Sequence, residues 1–156
     1  MMKDHSALAR ELFESGYNCS QAVFGAFSDL TGLDLETSMK LASSFGGGMG
    51  RMREVCGAVS GMFLVLGWLY GYSDPEDKAA KTEHYKRVQE LAGSFKEIYG
   101  SIICRELLGA KQGESGHIAA DRTPEYYSAR PCARICMDCA ALLDKYIEEN
   151  SVVKQA

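Results

Sequence analysis

The segment from Val55 to Tyr72 contains no charged residue, in a chain of 156 residues. Its length is close to what a helix needs to cross a bilayer. Its glycines lower both hydrophobicity and helix propensity, and they offer flat surfaces on which neighbouring helices pack closely. They are Gly57, Gly61, Gly67 and Gly71. The composition therefore predicts a buried central helix of a globular core and no membrane span.

Helix signals recur on both sides of this segment, and no stretch alternates polar and apolar residues between hairpin turns. Caps and apolar periodicity predict helices at Ser6 to Glu14, Asn18 to Gly32, Asp34 to Ala42, Asp74 to Tyr99, Ile102 to Leu108 and Cys132 to Glu149. A glycine-rich turn formed by Gly46, Gly47, Gly48 and Gly50 precedes the central helix. The expected fold is all-α, with residues 1–156 forming a single-domain bundle of about five to seven helices.

Two segments are expected to lie outside helices. The run from Ala110 to Pro131 contains two glycines and two prolines and reads as a long loop. Loops of that length are uncommon unless they serve a purpose, so this one could cover a site. The terminal SVVKQA is expected to fray.

Charge and the amino-terminal sequence bear on partners and compartment. The chain has 17 basic and 21 acidic residues, a net charge of −4, and no lysine or arginine run that could neutralise a row of phosphates. Nucleic acid is therefore not an expected partner. The start MMKDHSALARELFE has charges where a secretory signal needs an apolar stretch, so a cytoplasmic location is expected. In a reducing compartment the six cysteines point to metal ligation or redox chemistry rather than to structural disulfides.

Two cysteines have surroundings that favour reactivity. Cys19 begins a predicted helix, where free N–H groups and the helix dipole stabilise a thiolate. Cys56 follows the glycine-rich turn and stands near Arg51 and Arg53, which would lower its pKa if they faced it. The alternative is that these arginines belong to a solvated turn. The glycine cluster lacks the lysine of a P-loop, so a tight connection is the favoured interpretation.

An ordered set of cysteine motifs resembles a known family. The chain reads YNCSQAV around Cys19, GGGMGRMREVCGAVSG through Cys56, and CRELLG from Cys104. This set is similar to the C_GCAxxG_C_C proteins, a redox-active group defined by four cysteines and a Cys-Gly-Ala-x-x-Gly motif. The resemblance implies that the four functional positions are Cys19, Cys56, Cys104 and Cys132, with Cys136 and Cys139 additional.

A similar cysteine-bearing module occurs in split-Soret cytochromes, where it is associated with an iron–sulfur centre. That resemblance implies four thiolates converging on iron, the number that both common cluster types require. Haem attachment does not carry over, because Cys136 and Cys139 are not followed by the histidine of a C-x-x-C-H motif.

Helix placement offers a reason for a shared site. Four cysteines near the ends of different helical segments can converge only if the bundle folds around them. Gly57 and Gly61 would let backbone approach sulfur or metal, although close helix packing explains them equally well. With Arg51 and Arg53 they are the candidate cofactor-binding residues.

The remaining cysteines and the histidines are expected to have structural roles or to lie at the surface. Cys132, Cys136 and Cys139 have the C-x3-C-x2-C spacing of radical S-adenosylmethionine enzymes, but a small helical chain cannot form the barrel that those enzymes need. The last two lie on one helical face and are expected in the core. The histidines are expected at the surface, and only the loop residue His117 merits a test; they are His5, His84 and His117.

Three functions remain open at this stage. The first is a redox protein that binds an iron–sulfur cluster through its four cysteines and transfers electrons to a redox partner protein or oxidoreductase. The second is a thiol–disulfide oxidoreductase in which Cys19 or Cys56 attacks. The third is a zinc-stabilised helical binding module without catalysis. The sequence leaves open whether the protein is an enzyme and whether it forms a homodimer.

Overall fold

The computed structural model describes residues 3–150 and 152. This part of the chain contains no strand and forms nine α-helices: α1 His5–Glu14, α2 Cys19–Ala26, α3 Ser28–Thr31, α4 Leu35–Ala42, α5 Gly57–Tyr70, α6 Lys78–Tyr99, α7 Cys104–Leu108, α8 Pro124–Ala129 and α9 Cys132–Glu149. The predicted all-α single domain is confirmed. The count exceeds the predicted range because two short helices were not foreseen, α3 with four residues and α8 with six.

Helices α2 and α5 form the centre of the core, and α1 packs against both α2 and α9. A Cβ atom on Gly61 would lie 2.8 Å from the carbonyl oxygen of Ser20, so a glycine is needed for α5 to approach α2 this closely. Most of α5 is buried, although Trp68 is 54% exposed. The predicted buried central helix is therefore confirmed. No helix among the described residues is long and apolar enough to span a membrane.

Local capping explains where the helices begin, including one start that differs from prediction. The Asn18 and Asp34 side chains accept hydrogen bonds from the first turns of α2 and α4, as their sequence positions indicate. Helix α6 begins at Lys78 and is capped by Asp77, not by Asp74. The Asp74 carboxylate instead accepts from the Glu76 N–H group and closes a turn.

Two further boundaries differ from the sequence prediction. The helix expected over residues 18–32 is divided at Phe27 into α2 and α3. The segment expected as a loop over residues 110–131 contains α8, whose cap is Thr123 and whose first residue is Pro124. The expected fraying of SVVKQA falls almost entirely on residues outside the described part of the chain.

The turn before α5 has unusual backbone geometry. Three of its glycines adopt positive φ, and so do three residues with side chains: Met49, Arg51 and Arg53, with φ of 64°, 66° and 61°. Such a conformation costs about 1–2 kcal/mol for each residue that is not glycine. Hydrogen bonds from the N–H groups of Arg53 and Glu54 to Gly47 and Gly48 close the turn. Strain of this kind persists where the surrounding structure enforces it, often beside functional sites.

Candidate functional site

Four cysteines lie at the amino-terminal ends of four helices. Cys19, Cys104 and Cys132 are the first residues of α2, α7 and α9. Cys56 is the residue immediately before α5. The free N–H groups and the positive dipole end of a helix start favour a negatively charged sulfur.

Backbone pairing brings two of these helix starts together. The N–H group of Cys56 donates to the carbonyl oxygen of Ile102 at 2.8 Å, and that of Cys104 donates to Glu54 at 2.6 Å. An isolated antiparallel bridge joins Val55 to Ile103 between them. The end of the glycine-rich turn is therefore held against the start of α7, which sets Cys56 beside Cys104.

All four cysteines line one small cavity of about 50 Å³. Much of the remaining lining is apolar or aromatic, including Phe13, Leu107, Leu108, Tyr126 and Ile135. Cys56 and Cys104 are each 7% exposed, whereas Cys19 and Cys132 are partly exposed. None of the six cysteines forms a disulfide. Four free thiols from distant parts of the chain thus share one largely apolar space.

The backbone approaches these sulfurs closely. A Cβ atom on Gly57 would lie 2.4 Å from the Sγ atom of Cys19, so only glycine leaves room for that sulfur. The N–H groups of Gly47 and Ser20 donate to Cys19, and those of Ala58 and Val59 donate to Cys56. N–H donors of this kind stabilise metal-bound thiolates and tune their potentials.

Three of these thiols, those of Cys19, Cys56 and Cys132, are nevertheless not activated nucleophiles in this form. Burial raises the pKa of Cys19, and it raises the pKa of Cys56 well above its usual value. For Cys132, burial and then the neighbouring charge of Cys19 raise the pKa to about 12. The expectation of lowered pKa values at Cys19 and Cys56 is therefore wrong. Desolvation of the thiolate outweighs the helix-start N–H groups.

A family comparison adds to this geometry. Residues 17–146, well over half of the chain, match the family model described as "Putative redox-active protein (C_GCAxxG_C_C)". The chain belongs to this family. No curated protein and no solved structure matches it significantly.

In this C_GCAxxG_C_C protein the two arginines of the glycine-rich turn form hydrogen bonds to the segment that follows α7. Arg53 is only 3% exposed and donates to the Glu114 carbonyl oxygen at 2.8 Å and toward the Cys104 sulfur at 3.7 Å. Arg51 donates to the Gly116 carbonyl oxygen. They therefore fasten the 110–123 segment over the site. The solvated-turn interpretation does not hold for Arg53.

The two proposed cofactor-binding glycines have different surroundings. Gly57 faces the Cys19 sulfur, whereas the nearest neighbours of Gly61 are Ser20 and Val23 of α2. The contacts of Gly61 are thus those of helix packing.

The two remaining cysteines of this family member do not line the cavity. Cys136 and Cys139 are fully buried on the inner face of α9. Cys136 contacts the Cys19 carbonyl oxygen through its sulfur at 3.8 Å. Both are surrounded by core residues, as their helical spacing suggests.

The prediction that all histidines lie at the surface is wrong for His5. This side chain is 1% exposed, contacts Asp144 and Asp29 at 2.6 and 2.9 Å, and stacks on Phe27. Its position at the start of α1 gave no signal, because both carboxylates come from distant helices. His117 is exposed and lines a cleft beside the cysteine cavity.

The chemical groups that line the cavity are those that a thiolate-bound metal or cluster requires. The cavity offers four thiols and backbone N–H groups that donate to two of them. Among the described residues, however, no group of three or more His, Cys, Asp or Glu side chains is arranged to hold a metal ion. What the four cysteines share is the lining of one cavity.

Proposed function

We propose that this protein is a redox protein in which Cys19, Cys56, Cys104 and Cys132 hold an iron–sulfur cluster for electron transfer. The observation that carries the proposal is the presence of these four free thiols, each from a different helix start, around one small cavity. Both common cluster types need four thiolates. A redox-active family description agrees with this chemistry.

Several features of the chain support an anionic group here. Four helix N-termini direct partial positive charge toward the cavity. Backbone N–H groups donate to the sulfurs of Cys19 and Cys56. Apolar side chains such as Phe13 and Ile135 form part of the lining, and such surroundings affect the potential of a cluster. When bound, such a cluster would supply one-electron transfer.

The raised thiol pKa values make binding dependent on pH. Each thiol must lose its proton to become a ligand, so loading releases protons and becomes more favourable as pH rises. With Cys132 at a pKa of about 12, the free protein holds that proton at neutral pH. The bound metal must therefore supply the energy that ionises buried thiols.

The alternative to a cluster is a single zinc ion. A tetrathiolate zinc site places each sulfur about 2.3 Å from one ion. Four thiols around one cavity suit either group, and the redox-active family description supports the cluster. We also propose a cytoplasmic location and a redox partner protein that exchanges electrons with this site.

The test is reconstitution with iron and sulfide without oxygen, followed by absorption spectroscopy and iron and sulfide analysis. We expect a brown protein whose iron content falls at least several-fold when any of the four cavity cysteines is replaced by serine. Cys139→Ser is the matched control, because Cys139 lies on α9 with Cys132 but outside the cavity. Circular dichroism verifies that each variant folds.

Other outcomes would replace the proposal. A colourless protein that retains stoichiometric zinc would identify a zinc-stabilised module. A protein that binds neither metal but cycles reversibly between thiols and a disulfide would be a thiol–disulfide oxidoreductase. Loss of iron in Cys139→Ser but not in Cys19→Ser would place the ligands elsewhere.

A further inference from the structure

The eight arginines of the chain divide into two groups of four. One group forms ion pairs with carboxylates: Arg10, Arg87, Arg105 and Arg134. The other group forms none within the described residues, and all its members line one cleft: Arg51, Arg53, Arg122 and Arg130. In a protein with a net charge of −4, these four cations are concentrated where no carboxylate balances them.

The cleft has a volume of about 280 Å³ and contains no aspartate or glutamate in its lining. Its other polar side chains include Asn18 and His117. The cleft adjoins the cysteine cavity, and the two share six lining residues: Asn18, Gly47, Arg53, Arg122, Tyr126 and Arg130. A molecule in the cleft would therefore lie next to the thiols.

The guanidinium groups are held in place by neutral partners. Arg122 donates to the carbonyl oxygens of Phe13 and Tyr17 at 3.1 and 2.9 Å and lies over the Phe13 ring at 4.6 Å. Arg130 stacks on the Tyr126 ring at 4.2 Å and donates to Gln112. Groups fixed in this way lose little conformational freedom when they bind a ligand.

Most N–H donors of two of these arginines remain available. A guanidinium has five donors, and Arg51 and Arg130 each use one in a hydrogen bond to the described residues. Planar guanidinium groups bind carboxylate, phosphate and sulfate oxygens through paired hydrogen bonds. Both the positive charge of the cleft and its free N–H donors thus favour a ligand with an oxyanion group.

We infer that the arginine-lined cleft binds the oxyanion group of a small molecule, a phosphate, sulfate or carboxylate, beside the cysteine cavity. The cleft volume of about 280 Å³ lies at the lower end of the range for ligand pockets, about 300–1,000 Å³, and therefore suits a small metabolite rather than a protein segment. The inference goes beyond the cluster proposal, and its test uses the metal-free protein, so the two proposals can fail separately.

Isothermal titration calorimetry of the metal-free, reduced protein with inorganic phosphate, sulfate and succinate, at constant ionic strength, tests this inference. We expect saturable binding of at least one anion and no binding of glycerol. Arg51→Gln and Arg130→Gln should each weaken binding about tenfold, because each removes a charge and several free donors. The preferred anion identifies the oxyanion group of the ligand.

Arg10→Gln is the matched control, since Arg10 is exposed and paired with Glu14 on α1. It should leave anion binding unchanged. Absence of saturable binding by all three anions in the folded wild-type protein would overturn the inference. An equal loss in Arg10→Gln and the two cleft variants would also overturn it, because binding would then follow overall charge alone.

Discussion

Cys132 and Cys139 belong to the same helix, yet they lie in two different regions of the molecule. Cys132 begins α9 and lines the cavity with three other cysteines. Cys139 lies within α9 and is fully buried in the core. Position within the helix accounts for the difference, because a helix start offers N–H groups and a mid-helix position on the inner face offers only packing.

The same contrast extends to the surroundings. The cavity end is formed by the glycine-rich turn, helix starts and arginines that have no carboxylate partner among the described residues. The core end is formed by packed helix faces and includes the His5 cluster with Asp29 and Asp144. If this division is correct, changes at the cavity end alter chemistry and changes at the core end alter stability.

The largest expected effect is on thiol alkylation in the metal-free, reduced protein. At pH 8 a thiol with a pKa of about 12, such as Cys132, is ionised to roughly one part in ten thousand. Its reaction with iodoacetamide should therefore be roughly a thousandfold slower than that of a free cysteine. Because its pKa is raised, the rate should increase about tenfold per pH unit from pH 7 to 10.

Peptide mass spectrometry over time gives the rate for each cysteine. Cys139 has no solvent access and should react only after unfolding. Rapid alkylation of Cys19 or Cys56 at neutral pH would contradict the raised pKa values and would favour the thiol–disulfide function.

Replacing His5 tests the core end. His5→Ala removes hydrogen bonds to two carboxylates and leaves Asp144, whose pKa burial already raises, without its partner. Both carboxylates are partly exposed, so the expected loss in the free energy of unfolding is about 3 kcal/mol, the lower end for a broken buried pair. Urea denaturation measures it, with His117→Ala as an exposed control. A loss below about 1 kcal/mol would contradict the assigned role.

His5 also illustrates what sequence reasoning could not reach. Periodicity, caps and the uncharged segment from Val55 to Tyr72 predicted α7 and the six longer helices, because those signals are local. His5 meets Asp29 and Asp144 only after α1, α3 and α9 have packed, so no local pattern shows it. Helix α6 begins later than predicted for another reason. Asp74 and Asp77 are both suitable N-caps, but the Asp74 carboxylate accepts from the Glu76 N–H group and closes a turn, so Asp77 caps the helix.

At the candidate site, too, the sequence predicted local features but not contacts between distant parts of the chain. The family resemblance singled out four cysteines, but Cys56 and Cys104 come together through the long-range bridge between Val55 and Ile103. Arg122 and Arg130 were missed because they lie in a segment that read as a loop. The length of that segment was the signal available, and it indicated a cover without indicating which side chains face inward.

Two glycines of α5 allow a sharper comparison within one helix. Gly57→Ala would place a Cβ atom 2.4 Å from the Cys19 sulfur and 2.7 Å from the Phe45 carbonyl oxygen, so we expect a loss of about 2 kcal/mol and impaired cofactor loading. Gly67→Ala meets no heavy atom within 4 Å and should stabilise the helix by about 0.5–1 kcal/mol. Thermal and urea unfolding compare the two. A stabilising effect of Gly57→Ala would show that the space around Gly57 is not restricted.

The smallest expected difference compares the two kinds of cysteine directly, through Cys139→Ala and Cys56→Ala. The Cys139 sulfur is fully enclosed by the core, so its removal leaves a new void and should cost about 1 kcal/mol. The Cys56 sulfur already borders a cavity of about 50 Å³, so its truncation enlarges an existing space and should change stability by less than about 0.5 kcal/mol in the metal-free protein. Urea denaturation of both variants under reducing conditions resolves such values. A larger loss for Cys56→Ala than for Cys139→Ala would mean that the cavity cysteines are themselves structural, and the division between a chemical end and a stabilising end of α9 would fail.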